Sequence, residues 1–128
     1  MNTKRKRSQF IVRQLRDEAE LTFCSQLDHS YTTDYVWQMD MREENEDVFV
    51  RFRTVHLPRS MVVSYPRDVQ TQRMLWQKRE CFLVAVADDV LLGYANMHVD
   101  ATGTRGWVYD LVVGEPFRRR RIGSALLD

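Results

Sequence analysis

The last part of the chain joins a strand pattern to a helix pattern through four consecutive arginines. An apolar run ends at Val113, a short turn containing Pro116 follows, and residues 118–121 are all arginine. The next six residues, Ile-Gly-Ser-Ala-Leu-Leu, are typical of the opening of a helix. A strand, a tight loop and a helix N-terminus together present main-chain N–H groups that point in one direction, and proteins use this arrangement to bind phosphate. The pattern therefore predicts a phosphate site at the end of a sheet strand.

The segments before this loop alternate between helix and strand patterns. We predict helices over residues 17–28 and about 68–80, and strands over residues 10–16, 81–87, 90–98 and 107–113. Asp17 and Asp68 are suited to cap the two helices. Ala19, Phe23 and Leu27 follow at i, i+4 and i+8 and predict the buried face of the first helix. With a strand pair between the helices, the order β-α-(ββ)-α-β-β-β-α predicts the α/β class, as a mixed α+β sheet structure.

The strand pair between the helices predicts an antiparallel hairpin over residues 35–55. Four large residues share one face of the first strand at period two, which predicts a half-buried strand: Tyr35, Trp37, Met39 and Met41. We interpret them as core residues rather than as a platform for a ligand. The second strand is predicted over residues 48–55, with the acidic residues 42–47 as the loop. The prolines at positions 58 and 66 bracket a piece that we expect to be irregular.

Composition limits the class of protein and its partners. The 128 residues predict one domain of ordinary globular composition, with 44% hydrophobic and 29% charged residues. The net charge of +1 argues against a nucleic-acid partner. Cys24 and Cys81 lie too far apart to indicate a disulfide framework or a metal site, so we expect no metal and a cytoplasmic location. No apolar run reaches the roughly 18 residues that span a membrane, and we expect residues 1–9 to form a basic tail.

The arginine-rich loop resembles motif A of the GNAT superfamily of acyl-CoA-dependent N-acetyltransferases, over residues 111–127. That motif runs from an apolar strand end through a turn and an aromatic residue to Arg/Gln-x-x-Gly-x-Gly/Ala and a Leu-rich helix. Residues 120–125 match all three fixed positions, whereas residues 118–123 fit the flanks better, because Phe117 then takes the aromatic place. This second, preferred register puts Arg121 where the family has its first Gly, and we expect ordinary right-handed or extended backbone there.

The resemblance implies transfer of an acetyl group from acetyl-CoA to an amine of an unknown acceptor. It implies that one segment binds the pantetheine and the phosphates: Leu111, Val112, Val113, Arg118, Arg119, Arg120, Arg121, Ile122, Gly123 and Ser124. The attacking amine must lose a proton, and the candidate bases are Asp110 and then Glu115. The alternative for Asp110 is a strand carboxylate paired with a nearby arginine. The alternative function is a non-catalytic module that binds CoA for regulation or assembly.

The resemblance covers residues 81–128 well and residues 10–28 loosely. The 35–55 hairpin is an insertion that either shapes the acceptor site or extends the sheet. The resemblance implies that residues 1–128 are the N-terminal part of one GNAT-like domain, without its C-terminal strands and helix. The strand that ends at Val113 would then have an unpaired edge, through which two chains could associate.

Overall fold

The computed structural model describes residues 9–78 and 81–128, and its elements follow the predicted order. In chain order they are β1 (Ile11–Gln14), α1 (Glu18–Gln26), β2 (Ser30–Glu44), β3 (Asp47–Ser64), α2 (Val69–Gln77), β4 (Cys81–Ala87), β5 (Val90–Val99), β6 (Gly106–Val113), a 3₁₀ turn (Glu115–Phe117) and α3 (Ile122–Leu127). The predicted α/β class is confirmed. Residues 1–8 of the predicted tail and residues 79–80 of the predicted second helix lie outside the described residues.

The chain divides into two compact units. The first contains His29 and the residues before it together with Pro66–Asp128, and the second is Ser30–Tyr65. A four-stranded sheet in the order β1-β4-β5-β6 forms the centre of the first unit, and each pairing in it is antiparallel. The second unit contains β2 and β3 as a sheet of their own. The alternative that the hairpin extends the main sheet is therefore wrong.

Both faces of the four-stranded sheet are covered, because side chains alternate between the faces along each strand. One cluster joins α3 to the first face: Ala85, Leu92, Ala95, Ile122 and Leu126. A second buried set lies on the opposite face, against α1 and α2: Phe82, Val84, Tyr94 and Val112. The predicted strand over residues 81–87 is confirmed as β4, which lies between β1 and β5 in this sheet.

The first helix begins where Asp17 predicted, since the Asp17 carboxylate accepts a hydrogen bond from the Glu20 N–H. Its buried face differs from the prediction. Leu21 and Cys24 are fully buried, whereas Phe23 is exposed. The helix carries two apolar stripes, and the one that meets the sheet contains the smaller Cys24, whose thiol pKa burial raises to about 12.

The second helix is capped by Asp68 as predicted, but its one fully buried side chain is Gln72. Of its two adjacent apolar residues, Leu75 is half-buried and Met74 is exposed. No helix among the described residues has the length and the apolar character needed to cross a membrane.

Two tight features set the path of β4, β5 and β6. Asp88 and Asp89 both have positive φ, as a two-residue hairpin turn requires, and they connect β4 to β5. A Cβ added at Gly93 of β5 would lie 2.6 Å from the Val112 carbonyl oxygen of β6. The backbones of β5 and β6 therefore approach closely at Gly93, just before the arginine-rich loop.

The hairpin of the second unit is longer than predicted. Pairing continues to Glu44 and Asp47, so the predicted acidic loop shrinks to a turn at Asn45 and Glu46. The piece between Pro58 and Pro66, expected to be irregular, belongs to β3 as far as Ser64. An irregularity does occur near Pro58, since the register shifts between Thr33 and Tyr35 and leaves residues 57–60 unpaired. A proline lacks the N–H that a strand ladder needs, which accounts for this break.

The apolar face of β2 is exposed rather than half-buried. Trp37 is 72% accessible, and the other three members of its stripe are more than half accessible. The interpretation of these residues as core is therefore wrong. The period-two pattern correctly identified a strand with one apolar face, but the second unit consists of two strands alone and has no layer of its own to cover this face.

Candidate functional site

Asp110 lies on β6 where the pairing with β5 changes register. Asn96 of β5 faces Asp110, and the next pair skips Tyr109, which is the extra residue of a β-bulge. The buried Asp110 carboxylate accepts hydrogen bonds from Arg67 Nε at 2.8 Å and from Asn96 Nδ2 at 3.0 Å. The Asp110 main-chain N–H donates to Asn96 Oδ1 at 3.0 Å. Both carboxylate oxygens are therefore engaged, which is the geometry of the alternative, a strand carboxylate paired with an arginine.

A second polar group is buried on the same face of the sheet, around Tyr94. Its hydroxyl accepts a hydrogen bond from Gln72 Nε2 at 2.8 Å and lies 2.7 Å from His29 Nε2. His29 Nδ1 lies 2.7 Å from the Leu27 carbonyl oxygen, which only accepts, so Nδ1 carries the proton and Tyr94 donates to Nε2. Burial, and next the charge of Asp110, raise the pKa of Tyr94, so its phenol keeps its proton.

Arg67, Asn96, Gln72 and Tyr94 were not selected from the sequence. The available signal was an amide inside the apolar run of β5, at Asn96. An amide in a strand is equally consistent with an exposed face, and its partner Asp110 lies 14 positions away. Contacts at this separation follow from strand pairing rather than from local pattern.

The open edge of β6 carries the predicted pantetheine segment. The Gly114 N–H donates to the Leu92 carbonyl oxygen at 2.8 Å, in register with the pairs of β5 and β6. Hydrogen-bonded and non-hydrogen-bonded pairs alternate in an antiparallel ladder, so the main-chain groups of Leu111 and Val113 face away from β5. Those of Val112 face β5 and its side chain is buried. Of the three predicted residues, Leu111 offers its main-chain N–H and carbonyl and Val113 offers its N–H at the open edge, while Val112 offers neither group there.

Arg118, the first arginine of the run, is bonded to two main-chain carbonyl oxygens. Its Nε donates to the Val113 carbonyl oxygen at 2.9 Å, and its Nη2 donates to the Asp28 carbonyl oxygen at 3.1 Å. The guanidinium therefore connects the last residue of β6 to the segment that follows α1. These two contacts hold the Arg118 guanidinium against main-chain carbonyl oxygens of the protein.

The arginine run adopts strained backbone at two positions. Arg119 and Arg121 both have φ of 67°. Arg121 is in the left-handed region, with ψ of 14°, at the residue that precedes α3. The expectation of ordinary backbone at Arg121 is wrong. A left-handed non-glycine residue costs roughly 1–2 kcal/mol, because its Cβ approaches the following carbonyl oxygen.

The loop and the first turn of α3 line a small open pocket of about 240 Å³. Its lining residues are Val113, Phe117, Arg118, Arg119, Arg121, Ile122, Gly123 and Ser124. The N–H groups of the first helical turn have no partner within the helix, and the Arg121 side chain does not cap them. Within residues 9–78 and 81–128, no carboxylate lies within ion-pair distance of Arg119, Arg120 or Arg121. The pocket thus combines free N–H donors with uncompensated positive charge, which suits a phosphate group.

The profile of the Acetyltransferase (GNAT) family matches residues 42–128. The chain belongs to this family. The matched region contains the bulged strand, the open edge and the arginine-rich loop, and the resemblance of residues 111–127 to GNAT motif A falls within it. Comparison with curated protein sequences gives no match.

Two solved structures have a similar fold. A crystal structure of nourseothricin acetyltransferase matches this chain with a TM-score of 0.69 and 21% sequence identity. The match covers 92% of this chain and 62% of that one. A putative streptothricin acetyltransferase from Bacillus anthracis str. Ames, in complex with acetyl coenzyme A, has a TM-score of 0.64 and 16% identity. That match covers 93% of this chain and 64% of the other. The chain therefore spans less than two thirds of the length of these GNAT structures.

The structure favours the second register of the GNAT motif. In this register Arg121 occupies the position of the first motif glycine, and the backbone there has the positive φ that glycine adopts without strain. The chain therefore keeps the backbone geometry expected of a motif glycine while substituting an arginine.

Gly123 of the motif is not required by the packing of the chain itself. A Cβ added at Gly123 would meet one atom, Val113 Cγ2, at an ordinary 3.8 Å. The absence of a side chain there leaves open space on the pocket side of α3. This observation fits a group that must approach the backbone closely, as a CoA phosphate would.

Glu115, the second candidate base, is exposed in the 3₁₀ turn after β6. In the part of the chain that the structure describes, no group of three or more His, Cys, Asp or Glu residues is arranged to hold a metal ion. The candidate site is therefore the edge of β6 and the loop that follows it.

Proposed function

We propose that this GNAT-family chain binds acetyl-CoA along the open edge of β6 and transfers the acetyl group to an amine. The observation that carries this proposal is the continuity of two features. The outward main-chain groups of Leu111 and Val113 lead directly into a loop that offers N–H donors and positive charge. A pantetheine arm on the edge would therefore bring its pyrophosphate to residues 119–124.

The arginines divide into two roles under this proposal. Arg119, Arg120 and Arg121 supply charge to the phosphates, while the N–H groups of Ile122, Gly123 and Ser124 donate to phosphate oxygens. Arg118 positions the loop, because its guanidinium already bonds the carbonyl oxygens of Val113 and Asp28. An Arg118 variant would consequently disturb the loop itself, whereas an Arg120 variant would weaken phosphate binding alone.

The reaction requires a polarised thioester and a path for one proton. The amine nitrogen bonds the acetyl carbon, the carbon–sulfur bond breaks, and CoA leaves as its thiolate. An outward N–H of Leu111 would stabilise the charge that develops on the thioester oxygen. Asp110 is the first candidate base and Glu115 the second. Since the Asp110 carboxylate is buried against Arg67, a proton would reach it through a water chain rather than by direct contact.

The acceptor is proposed as an amine whose identity the site does not specify. The named substrates of the two structural neighbours, nourseothricin and streptothricin, belong in the first acceptor panel, together with lysine peptides, polyamines and aminoglycosides.

Cys24 and Cys81 are both free thiols, which fits the proposed cytoplasmic location.

Titration calorimetry with acetyl-CoA, followed by an acceptor screen, tests the proposal. The transfer assay should detect acetylated product by mass spectrometry, because the exposed Cys81 would react with thiol reagents. We expect acetyl-CoA binding by residues 1–128, with weak or no turnover. Absence of acetyl-CoA binding would overturn the proposal.

A non-catalytic CoA-binding module is the second candidate. It is favoured by the engagement of both Asp110 oxygens with Arg67 and Asn96, which leaves no free carboxylate on β6 near the open edge. Binding of acetyl-CoA and CoA with similar affinity, and no transfer to any amine of the panel, would support the module. Transfer to any amine would exclude it.

A further inference from the structure

The two faces of the β2–β3 hairpin differ sharply in chemistry. One face carries a continuous apolar surface, termed here the hairpin face: Tyr35, Trp37, Met39, Met41, Val48, Val50 and Phe52. These seven residues are between 50% and 72% accessible. Opposed pairs such as Met39 with Phe52 and Met41 with Val50 form its centre, and Glu43 is its only charged position, at the turn end.

The opposite face of the hairpin is suited to water. Asp40 accepts hydrogen bonds from Arg51 at 3.4 Å and from Arg53 at 3.1 Å, and Arg53 also donates to Gln38. The Arg42 guanidinium lies over the Phe49 ring, 5.1 Å from its centroid. One face of the hairpin is charged, whereas the centre of the hairpin face carries no charge. This contrast indicates that the hairpin face is suited to burial rather than to contact with water.

The area of the hairpin face agrees with that of a dimer interface. A single aromatic residue offers about 150–250 Å², so the exposed fractions of these seven residues amount to on the order of 800 Å². The largest apolar patch on a typical monomer is about 300–600 Å². About 800 Å² from each partner is the size of a standard specific interface.

We propose that the hairpin face binds the hairpin face of a second copy of this chain. A two-fold contact needs only a surface that complements itself, and homodimer interfaces are more apolar than interfaces between different proteins. The centre of this face has no charge with which to select an unrelated partner. An isolated two-stranded hairpin is also marginal in water, and a second hairpin packed on it supplies the missing layer.

This interface is distinct from association through the open edge of β6 and does not depend on acetyl transfer. The family profile matches from Arg42 onward, so most of β2 lies outside the matched region. The hairpin face lies in the second compact unit, whereas β6 lies in the first. Variants of the hairpin face therefore test dimerisation through this surface alone.

Sedimentation equilibrium of the 128-residue chain is the test. Met39→Lys combined with Phe52→Glu places an opposed charge pair at the centre of the face, and opposite charges across strands preserve the hairpin. The matched control, Asp40→Lys with Arg51→Glu, exchanges one opposed pair on the charged face. We expect a dimer for the parent and the control, and a dissociation constant raised at least about thirtyfold, the effect of losing one hot-spot contact, for the Met39/Phe52 variant.

Trp37 fluorescence gives a second readout that needs no disruptive variant. The emission of Trp37 is obtained as the difference between the parent and Trp37→Phe. We expect it to shift to shorter wavelength as protein concentration rises, because Trp37 becomes buried on association. A monomeric parent would overturn the proposal. So would a dimer that persists in the Met39/Phe52 variant, or an emission of Trp37 that is independent of concentration.

Discussion

Arg67 Nε donates to the buried Asp110 carboxylate across 43 positions of sequence, at 2.8 Å. This pair connects the residue before the cap of α2 to the bulged strand beside the open edge. Because Asn96 holds the other carboxylate oxygen, the three side chains fix β5, β6 and the start of α2 relative to one another. These hydrogen bonds link the strand that leads into the loop to β5 and to the residue before the α2 cap.

Arg67→Ala should destabilise the chain, because it removes the cationic partner of a buried carboxylate. An unsatisfied buried acceptor costs about 1–3 kcal/mol, and we expect the lower half of that range because Arg67 is itself 38% accessible. Urea unfolding measures the change. Arg73→Ala, which removes an exposed pair with Glu18, is the control and should change the free energy of unfolding by less than about 1 kcal/mol. Equal effects of the two variants would contradict the prediction.

Stability should fall on acidification through the Arg13–Glu20 pair. The hydrogen bond from Arg13 is the largest cause that lowers the pKa of Glu20 below its ordinary value of 4.5. A lowered pKa in the folded state gives a stabilisation that is present above pH 4.5 and is lost as the pH falls through the folded pKa. We expect Glu20→Gln and Arg13→Ala each to reduce the fall in the free energy of unfolding at acidic pH. An unchanged fall at acidic pH in both variants would argue against this pair.

Arg121→Gly should stabilise the chain, because glycine adopts the positive φ of that position without strain. The expected gain is about 0.5–1 kcal/mol after the greater freedom of glycine in the unfolded chain is included. Thermal unfolding measures it. Arg120→Gly is the control, since Arg120 is not among the positive-φ residues, and it should destabilise slightly. A loss of stability in the Arg121 variant would contradict the prediction.

Gly123→Ala should separate folding from ligand binding. The added Cβ meets only ordinary contact at 3.8 Å, and alanine favours a helix by up to about 1 kcal/mol, so stability should be unchanged or higher. If a CoA phosphate approaches the backbone there, acetyl-CoA affinity should fall at least about tenfold, or ~1.4 kcal/mol. Calorimetry measures the affinity. Undiminished affinity would place the phosphates elsewhere.

Gly93→Ala, in contrast to Gly123→Ala, should lower the free energy of unfolding. The added Cβ would lie 2.6 Å from the Val112 carbonyl oxygen and 3.2 Å from Val113 Cα, both of which are backbone atoms that cannot move aside cheaply. We expect a loss of about 1–3 kcal/mol, as for other overpacked sites. Urea unfolding of the two glycine variants side by side checks this contrast. A neutral Gly93 variant would show that β5 and β6 can separate more easily than their geometry implies.

Local patterns were sufficient for the order of elements and for the position of the loop. Asp17 and Asp68 begin helices because their carboxylates accept from nearby N–H groups, and that chemistry is contained within four residues. The period-two pattern around Trp37 identified a strand because side chains alternate between the two faces along a strand, which is also a local property. Such predictions need no knowledge of distant residues.

The tertiary structure decided which surfaces are buried and which charges are paired. Periodicity identifies an apolar face but not its covering, so the face of Trp37 was misassigned to the core and that of Phe23 to the helix–sheet contact. Arg118 turns to the carbonyl oxygens of Val113 and Asp28, and Arg121 takes left-handed backbone, because the end of β6 and the segment after α1 fix the path of the loop. The sequence by itself predicted a loop suited to phosphate between a strand and a helix, whereas the fold determined which arginine of that loop is bonded within the protein and which of them take left-handed backbone.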